Sequence, residues 1–313
     1  MYDKVEFYKE RKVLGDDFTP IIPQLDNAKE QIDKHTGEVK TIGNVGGLKI
    51  VVSGDGVFVR GSLNKFYYDG GNIYPLDLSA ATQAIEKIED SLHLSIDDAI
   101  VFSLEFGTNF LMSRSITEYL ERLGSLGRMK RLDLAQNVYY QQGENKRKVL
   151  AFYDKIHQAK KEKMDFPTNL TNANLLRYEM RLKNRLANLL KVPEVNISTL
   201  TNPEFYRMLI RLYQNYYFSI NKRKQLKINH MEEIKNAKDG FSVFVAKLLT
   251  YAPPQEAERF IEELKRNKVY SDAKYYTRLK QMIADVSSKN DFTMTDELIN
   301  ELDDQVRNVG AYI

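Results

Sequence analysis

The stretch KRKVLAFYDKIHQAKKEK, residues 146–163, holds the residues best placed for chemistry. A short apolar run, Val149 to Phe152, leads into Tyr153, Asp154 and Lys155, with basic residues on both sides. In a strand, residues two apart share a face, so Tyr153 and Lys155 are expected to point the same way where the strand runs out. A phenol ionises near pH 10 and needs a nearby cation to ionise closer to neutrality. A tyrosine beside an ammonium therefore suits chemistry on a phosphate. The same residues also read as an edge strand with a solvated basic tail.

Carboxylates are the other candidates. Ile100 to Phe106 alternates, with Ile100, Phe102, Leu104 and Phe106 on one face and Val101, Ser103 and Glu105 on the other. Leu175 to Leu182 alternates likewise, with Leu176, Tyr178, Met180 and Leu182 set against Arg177, Glu179 and Arg181. If the two strands are neighbours, Glu105 and Glu179 can share Mg²⁺ or Mn²⁺ through oxygen ligands. Alternatively, Glu179 is neutralised by Arg177 and Arg181, and Glu105 is a surface charge. The four histidines, His35, His93, His157 and His230, form no close pair, and no Walker loop or dinucleotide-binding glycine pattern occurs.

The elements that must hold these residues follow from periodicity and turn chemistry. Residues 1–47 are weakly patterned and read as an irregular arm with one early strand. Leu48 to Ser62 reads as a hairpin across Ser53-Gly54-Asp55-Gly56. Leu63 to Phe66 and a glycine-rich loop with Asp69, Gly70, Gly71 and Asn72 follow. Ser79 is placed to cap a helix to about Ser91, with Ala84, Ile85, Ile88 and Leu92 inward. Ser115 to Leu123 reads as a helix. Leu132 to Gln142 and Lys148 to Lys155 read as a hairpin across residues 142–145. A helix over Arg185 to Leu190 is closed by Pro193. From Asn202-Pro203 onward the patterns are helical, through Ile220 and then near 240–250, 255–267, 271–286 and 294–307, with Pro253-Pro254 as a break and no strand signal. The expected fold class is α+β: a mainly antiparallel sheet with flanking helices over 1–200, then an all-helical C-terminal domain over 201–313.

The chain has 313 residues, a net charge of +3, 42% apolar residues and no cysteine. That excludes a disulfide scaffold, a thiolate zinc site and a cysteine nucleophile, and fits a reducing cytoplasm. No apolar run is long enough to span a bilayer, and the N-terminus lacks a signal peptide's apolar core. Ten Lys or Arg against four acids between Arg128 and Lys163, with nineteen tyrosines along the chain, suit a single-stranded nucleic acid. A solvated surface with tyrosines in the core explains the same counts.

The ordered set GSLNKF, SLEFGTNF, KVLAFYDKIHQ and LLRYEMRLKNRL resembles the replication initiators of the filamentous-phage gene II/X type. It is more distantly similar to the Rep proteins of a class of rolling-circle plasmids. The resemblance runs from Leu48 to Ile220. It implies a metal-dependent enzyme that nicks and rejoins origin DNA through a 5′-phosphotyrosine. It puts Tyr153 in the nucleophile's place, with Lys155 beside it. It assigns Glu105 and Glu179 to a Mg²⁺ or Mn²⁺ site, with Asp154 or Asp133 completing the shell. Lys65, Arg131, Lys146, Arg147, Lys148, Arg177, Arg181 and Arg185 are the expected DNA contacts. Two departures stand out: Gln158 occupies a place where relatives often carry Glu, and Phe58 or Val59 a place where they tend to have an acid. These departures motivate the rival reading, a non-catalytic origin-binding protein or repressor; a structural or protein-binding module has only the helical C-terminal half in its favour. Further partners implied are a host helicase or polymerase and a second copy in a homodimer.

Overall fold

The structure is a computed structural model that describes all residues except 12–17, 71–72, 135, 144–145, 165–166, 227–229, 253–255, 289–292 and 311–313. Pro253-Pro254 and parts of the loops at 69–72 and 142–145 thus lie outside the described residues. A ten-stranded antiparallel sheet is built from β1 (Tyr2–Glu10), β2 (Asp26–Ile32), β3 (Val39–Val45), β4 (Leu48–Val52), β5 (Gly56–Ser62), β6 (Ile100–Met112), β7 (Lys130–Leu134), β8 (Asn137–Gln142), β9 (Lys148–Asp154) and β10 (Asn174–Lys183). Their order is β2-β3-β4-β5-β1-β6-β10-β9-β8-β7. The helices are α1 (Leu63–Tyr67), α2 (Leu78–Leu92), α3 (Ile116–Leu120), α4 (Lys155–Lys161), α5 (Leu186–Leu190), α6 (Ile197–Leu200), α7 (Pro203–Phe218), α8 (Ala237–Tyr251), α9 (Glu256–Arg266), α10 (Lys274–Ser288) and α11 (Glu297–Arg307). A ribbon of β11 (Lys224–Leu226) and β12 (Thr293–Thr295) joins the helical part.

One face of the sheet carries the main core. Phe152 stacks on Tyr178 at 4.2 Å between centroids, and Tyr178 on Tyr213 of α7 at 4.0 Å. The hydroxyls of Tyr178 and Tyr213 each donate to the other's carbonyl at 3.1 Å, so the buried phenols carry no unpaired hydroxyl. Ile299, Leu302 and Val306 of α11 join the same apolar core. Because strand side chains alternate, Arg177, Glu179 and Arg181 turn to the opposite face. There α4 packs, with its Ile156 against Leu175 and Ile73.

The hairpin at Leu48–Ser62, the alternation of Leu176 to Leu182 and the helix from Pro203 capped by Asn202 are borne out, and the helix expected over Ser115 to Leu123 is present but shorter, Ile116–Leu120. Five expectations need correction. Residues 1–47 are no irregular arm: β1 lies between β5 and β6 near the middle of the sheet, with β2 and β3 at an edge. Asp77, not Ser79, caps α2, accepting from the Ala80 amide at 2.7 Å. Leu132 to Gln142 splits into β7 and β8, which pair with each other. Strands do occur beyond residue 200, but β11 and β12 have three residues each, too few to show alternation. The alternation of Ile100 to Phe106 also breaks at its start. A register shift against β1 buries Val101, leaves Ile100 exposed and stacks Phe102 on Phe58.

Candidate active site

Tyr153, next to last in β9, lies opposite Arg177 on β10, and β10 lies between β9 and β6. Glu179 is therefore flanked by both strands that carry candidate residues. On the β6 side its partner is Gly107, where any Cβ would fall 2.4 Å from the Tyr178 carbonyl oxygen and 2.9 Å from the Glu179 Cα. A glycine there lets the strands close up behind the carboxylate.

The Tyr153 hydroxyl donates to Oε1 of Glu179 at 2.6 Å, and Nε of Arg177 donates to the same oxygen at 2.9 Å. Oε2 takes Nε and Nη2 of Arg181 at 2.9 and 2.7 Å. Arg177 reaches on through Nη2 to Oδ2 of Asp3 on β1 at 2.5 Å, and through Nη1 to Oδ1 of Asn109 at 3.3 Å. Ser62 donates to Oδ1 of Asp3 at 2.7 Å and caps α1 through the Lys65 amide at 3.2 Å. Nε of Arg181 is 4.0 Å from Oε1 of Glu105. Charges thus alternate across three strands: Asp3, Arg177, Glu179, Arg181, Glu105.

Burial and these neighbours set the protonation states. Burial alone would push the Glu179 carboxyl up, but Arg177, Arg181 and the Tyr153 hydroxyl outweigh it and hold the group at about 2. Glu105 moves the other way, raised by burial and by the Glu179 charge against the pull of Arg181. Tyr153 is raised by burial and then by Glu179, so its phenol stays neutral. Lys155 is lowered to about 8, by burial first and then by the Arg177 charge, with Asp3 and Glu179 opposing. Its Nζ donates to Oε1 of Gln158 at 3.2 Å.

The structure brings together Tyr153, Glu179, Arg177, Arg181 and Glu105, with Lys155 in their field. Lys155 is the first residue of α4 and not the last of the strand. Asp154 does not join them: its carboxylate caps α4, accepting from the His157 amide at 2.9 Å. For a Mg²⁺ or Mn²⁺ ion the fit is poor. Both oxygens of Glu179 and of Asp3 already accept from guanidinium or hydroxyl groups. Among the described residues no three acidic or histidine side chains converge.

Three expected DNA contacts are committed inside the protein. Arg131 is held by the carbonyls of Leu120 and Leu123 and by Asp133, Lys148 lies over the Tyr216 ring and bonds its hydroxyl, and Arg177 is buried in the network. Among the described residues Lys146, Arg147 and Arg185 enter no ion pair, but they lie at the far end of β9, since Lys148 pairs with Leu182 where Tyr153 pairs with Arg177. The basic span from Arg128 to Lys163 is therefore divided between two ends of the sheet. Lys65 lies at the Tyr153 end, its Nζ 4.0 Å from the Met164 sulfur. Tyr140 is a packing ring in the core, donating to the Gly124 carbonyl at 2.6 Å.

Asp3 was missed because residues 1–47 read as an arm; Val5 and Phe7, buried two residues apart, were the available sign of a strand. Ser62 and Asn109 lay within the motifs GSLNKF and SLEFGTNF but carried no assigned role.

The sequence profile of the N-terminal region of the phage gene II replication-associated protein matches residues 47–204, half of the chain. The chain belongs to this family. The matched region holds Ser62, Glu105, Tyr153, Lys155, Arg177, Glu179 and Arg181; Asp3 comes from outside it, and the family resemblance read from the four motifs is borne out. Among curated proteins none matches. Among solved structures, a rolling circle replication initiator protein from Geobacillus stearothermophilus is similar with a TM-score of 0.41 and 10% identity, over 77% of this chain and 89% of that one. No helix among the described residues is long and apolar enough to cross a membrane.

Proposed function

We propose that this family member is a rolling-circle replication initiator that nicks and rejoins origin DNA through Tyr153. The observation that carries the reading is the tyrosine hydroxyl bonded to a buried carboxylate between two guanidinium groups. The Tyr153 oxygen attacks the phosphorus of a phosphodiester in single-stranded or extruded DNA. An O–P bond forms and the P–O3′ bond breaks, leaving a 5′-phosphotyrosine and a 3′ hydroxyl that can prime synthesis. The phenol proton passes to Glu179, its present acceptor, and the leaving 3′ oxygen takes a proton from Lys155, whose acidity is suited to that transfer near neutrality. Splitting the displacement keeps the bond energy in the phosphotyrosine, so the reverse attack reseals the strand.

A carboxylate held at about 2 is a weak base. Arg181, with 28% of its side chain exposed, is the guanidinium a phosphate can reach. A phosphate that draws Arg181 away from Glu179 raises the basicity of Glu179 and places positive charge on the transferring group. The burial of Tyr153, 5% exposed, favours a second reading, a non-catalytic origin-binding protein or repressor.

The test is incubation of labelled supercoiled origin DNA with wild type and Tyr153→Phe. Phe keeps the ring and removes one oxygen, so origin binding should stay within a few-fold of wild type. Nicking and the labelled protein band should both vanish. An adduct that persists in Tyr153→Phe refutes the assignment, and a gel shift without nicking by wild type supports the repressor.

A further inference from the structure

The cations near β9 form two groups at opposite ends of one strand. At the Tyr153 end stand Lys65 and the exposed Lys160, Lys161 and Lys163, and exposed rings accompany them: Tyr68 follows α1, and the Tyr74 carbonyl accepts from Asn64. At the far end the Lys183 amide donates to the Arg147 carbonyl at 2.8 Å, which ties the β9 and β10 ends together. Lys146, Arg147, Lys183 and Arg185 gather there, outside every ion pair among the described residues. Asn184 and Arg185 both take left-handed φ values, 56° and 52°, and turn the chain back at this edge. No free ring among the described residues stands with these cations: Phe102, whose carbonyl accepts from the Asn184 amide, stacks on Phe58, and Tyr216 carries the Lys148 ammonium.

We infer that this far edge is a second nucleic-acid contact and that its partner is duplex DNA flanking the nick. Single strands are held by cations together with stacking rings, whereas a duplex is held through its phosphates by cations alone. Arg147 lies six residues from Tyr153, roughly 20 Å along a strand. That is a span of about six base pairs at 3.4 Å each. The nicking end then takes the melted strand while the far edge grips the duplex beyond it. This rests on the reading of Tyr153 for its meaning, but its test does not.

The experiment compares wild type with the triple variant Arg147→Glu, Lys183→Glu, Arg185→Glu, using a 30-base-pair duplex and a 30-nucleotide single strand of mixed sequence. The slope of log affinity against log salt is measured for each. The duplex slope should fall by about 2 to 3, at about 0.9 for each phosphate no longer neutralised, while the single-strand slope stays put. Lys160→Glu with Lys161→Glu should instead lower the single-strand slope. An unchanged duplex slope in the triple variant overturns the proposal, and so does an equal fall for both DNAs. Circular dichroism melting confirms that the variants fold. Failure of wild type to form any adduct refutes the role of Tyr153 and leaves the duplex result standing.

Discussion

Glu179→Gln tests the charge network most directly. The side chain is 2% exposed, and its two oxygens take four donors, from Tyr153, Arg177 and Arg181. Glutamine fits the same space but brings an amide NH₂ against guanidinium donors and leaves Arg177 with Asp3 as its one anionic partner in the network. Removing one partner of a buried ion pair costs about 3–5 kcal/mol. Arg181 is partly solvated and keeps Glu105 within 4.0 Å, which places the expected loss near the lower end, about 3 kcal/mol at pH 7. Titration leads to the same size. The carboxyl sits at about 2 in the fold against an ordinary 4.5, and at about 1.4 kcal/mol per pH unit that gap is worth about 3 kcal/mol. The folded-state value is depressed, so this stability is present above about 4.5 and is lost as pH falls toward about 2. The assay is urea unfolding of wild type and Glu179→Gln between pH 7 and pH 2.5. The gap between them should be widest at neutral pH and shrink below pH 4.5. A variant as stable as wild type at pH 7, or a gap that stays constant down to pH 2.5, refutes the reasoning.

Three further outcomes follow from the same geometry. Asp3→Asn should leave origin binding within a few-fold and slow nicking by tenfold or more, because Arg177 loses the anion that aims it at Glu179; single-turnover rates on saturating DNA decide this. Lys148→Met should lower stability by about 1–2 kcal/mol, because no ammonium then sits on the Tyr216 ring and hydroxyl, without changing the salt dependence of DNA binding; a flattened salt slope would return Lys148 to the DNA path. Lys155 is charged in both folded and unfolded states below about 8, where burial of the ammonium weighs against the fold. Lys155→Met should therefore be more stable than wild type at pH 7, with the advantage fading between about pH 8 and 10.5, and thermal melts across that range measure it.

Much of the site could be read from local pattern. Tyr178 and Met180 are apolar or aromatic at period two, so Arg177, Glu179 and Arg181 had to share the other face of β10, and they do. The run Val149 to Phe152 had to be a strand, which put Tyr153 at its end. Asn202 before Pro203 had to cap a helix. These are consequences of backbone geometry within a few residues. The order of strands is not. Nothing in β1 says that it inserts between β5 and β6, because sheet order is decided by apolar faces meeting across long stretches of chain, and only that order carries Asp3 to Arg177. Nor does a count of lysines and arginines show which way each side chain turns. Arg131 and Lys148 are spent on carbonyls and a tyrosine ring, and the remaining cations of the basic span fall at opposite ends of β9. The sequence by itself determined which residues of β10 share a face and that Tyr153 lies near the end of a strand. Tertiary structure alone decided that two arginines, and not three converging acids, surround the carboxylate that holds Tyr153, because charges from β1, β6 and β10 meet only once the sheet has closed.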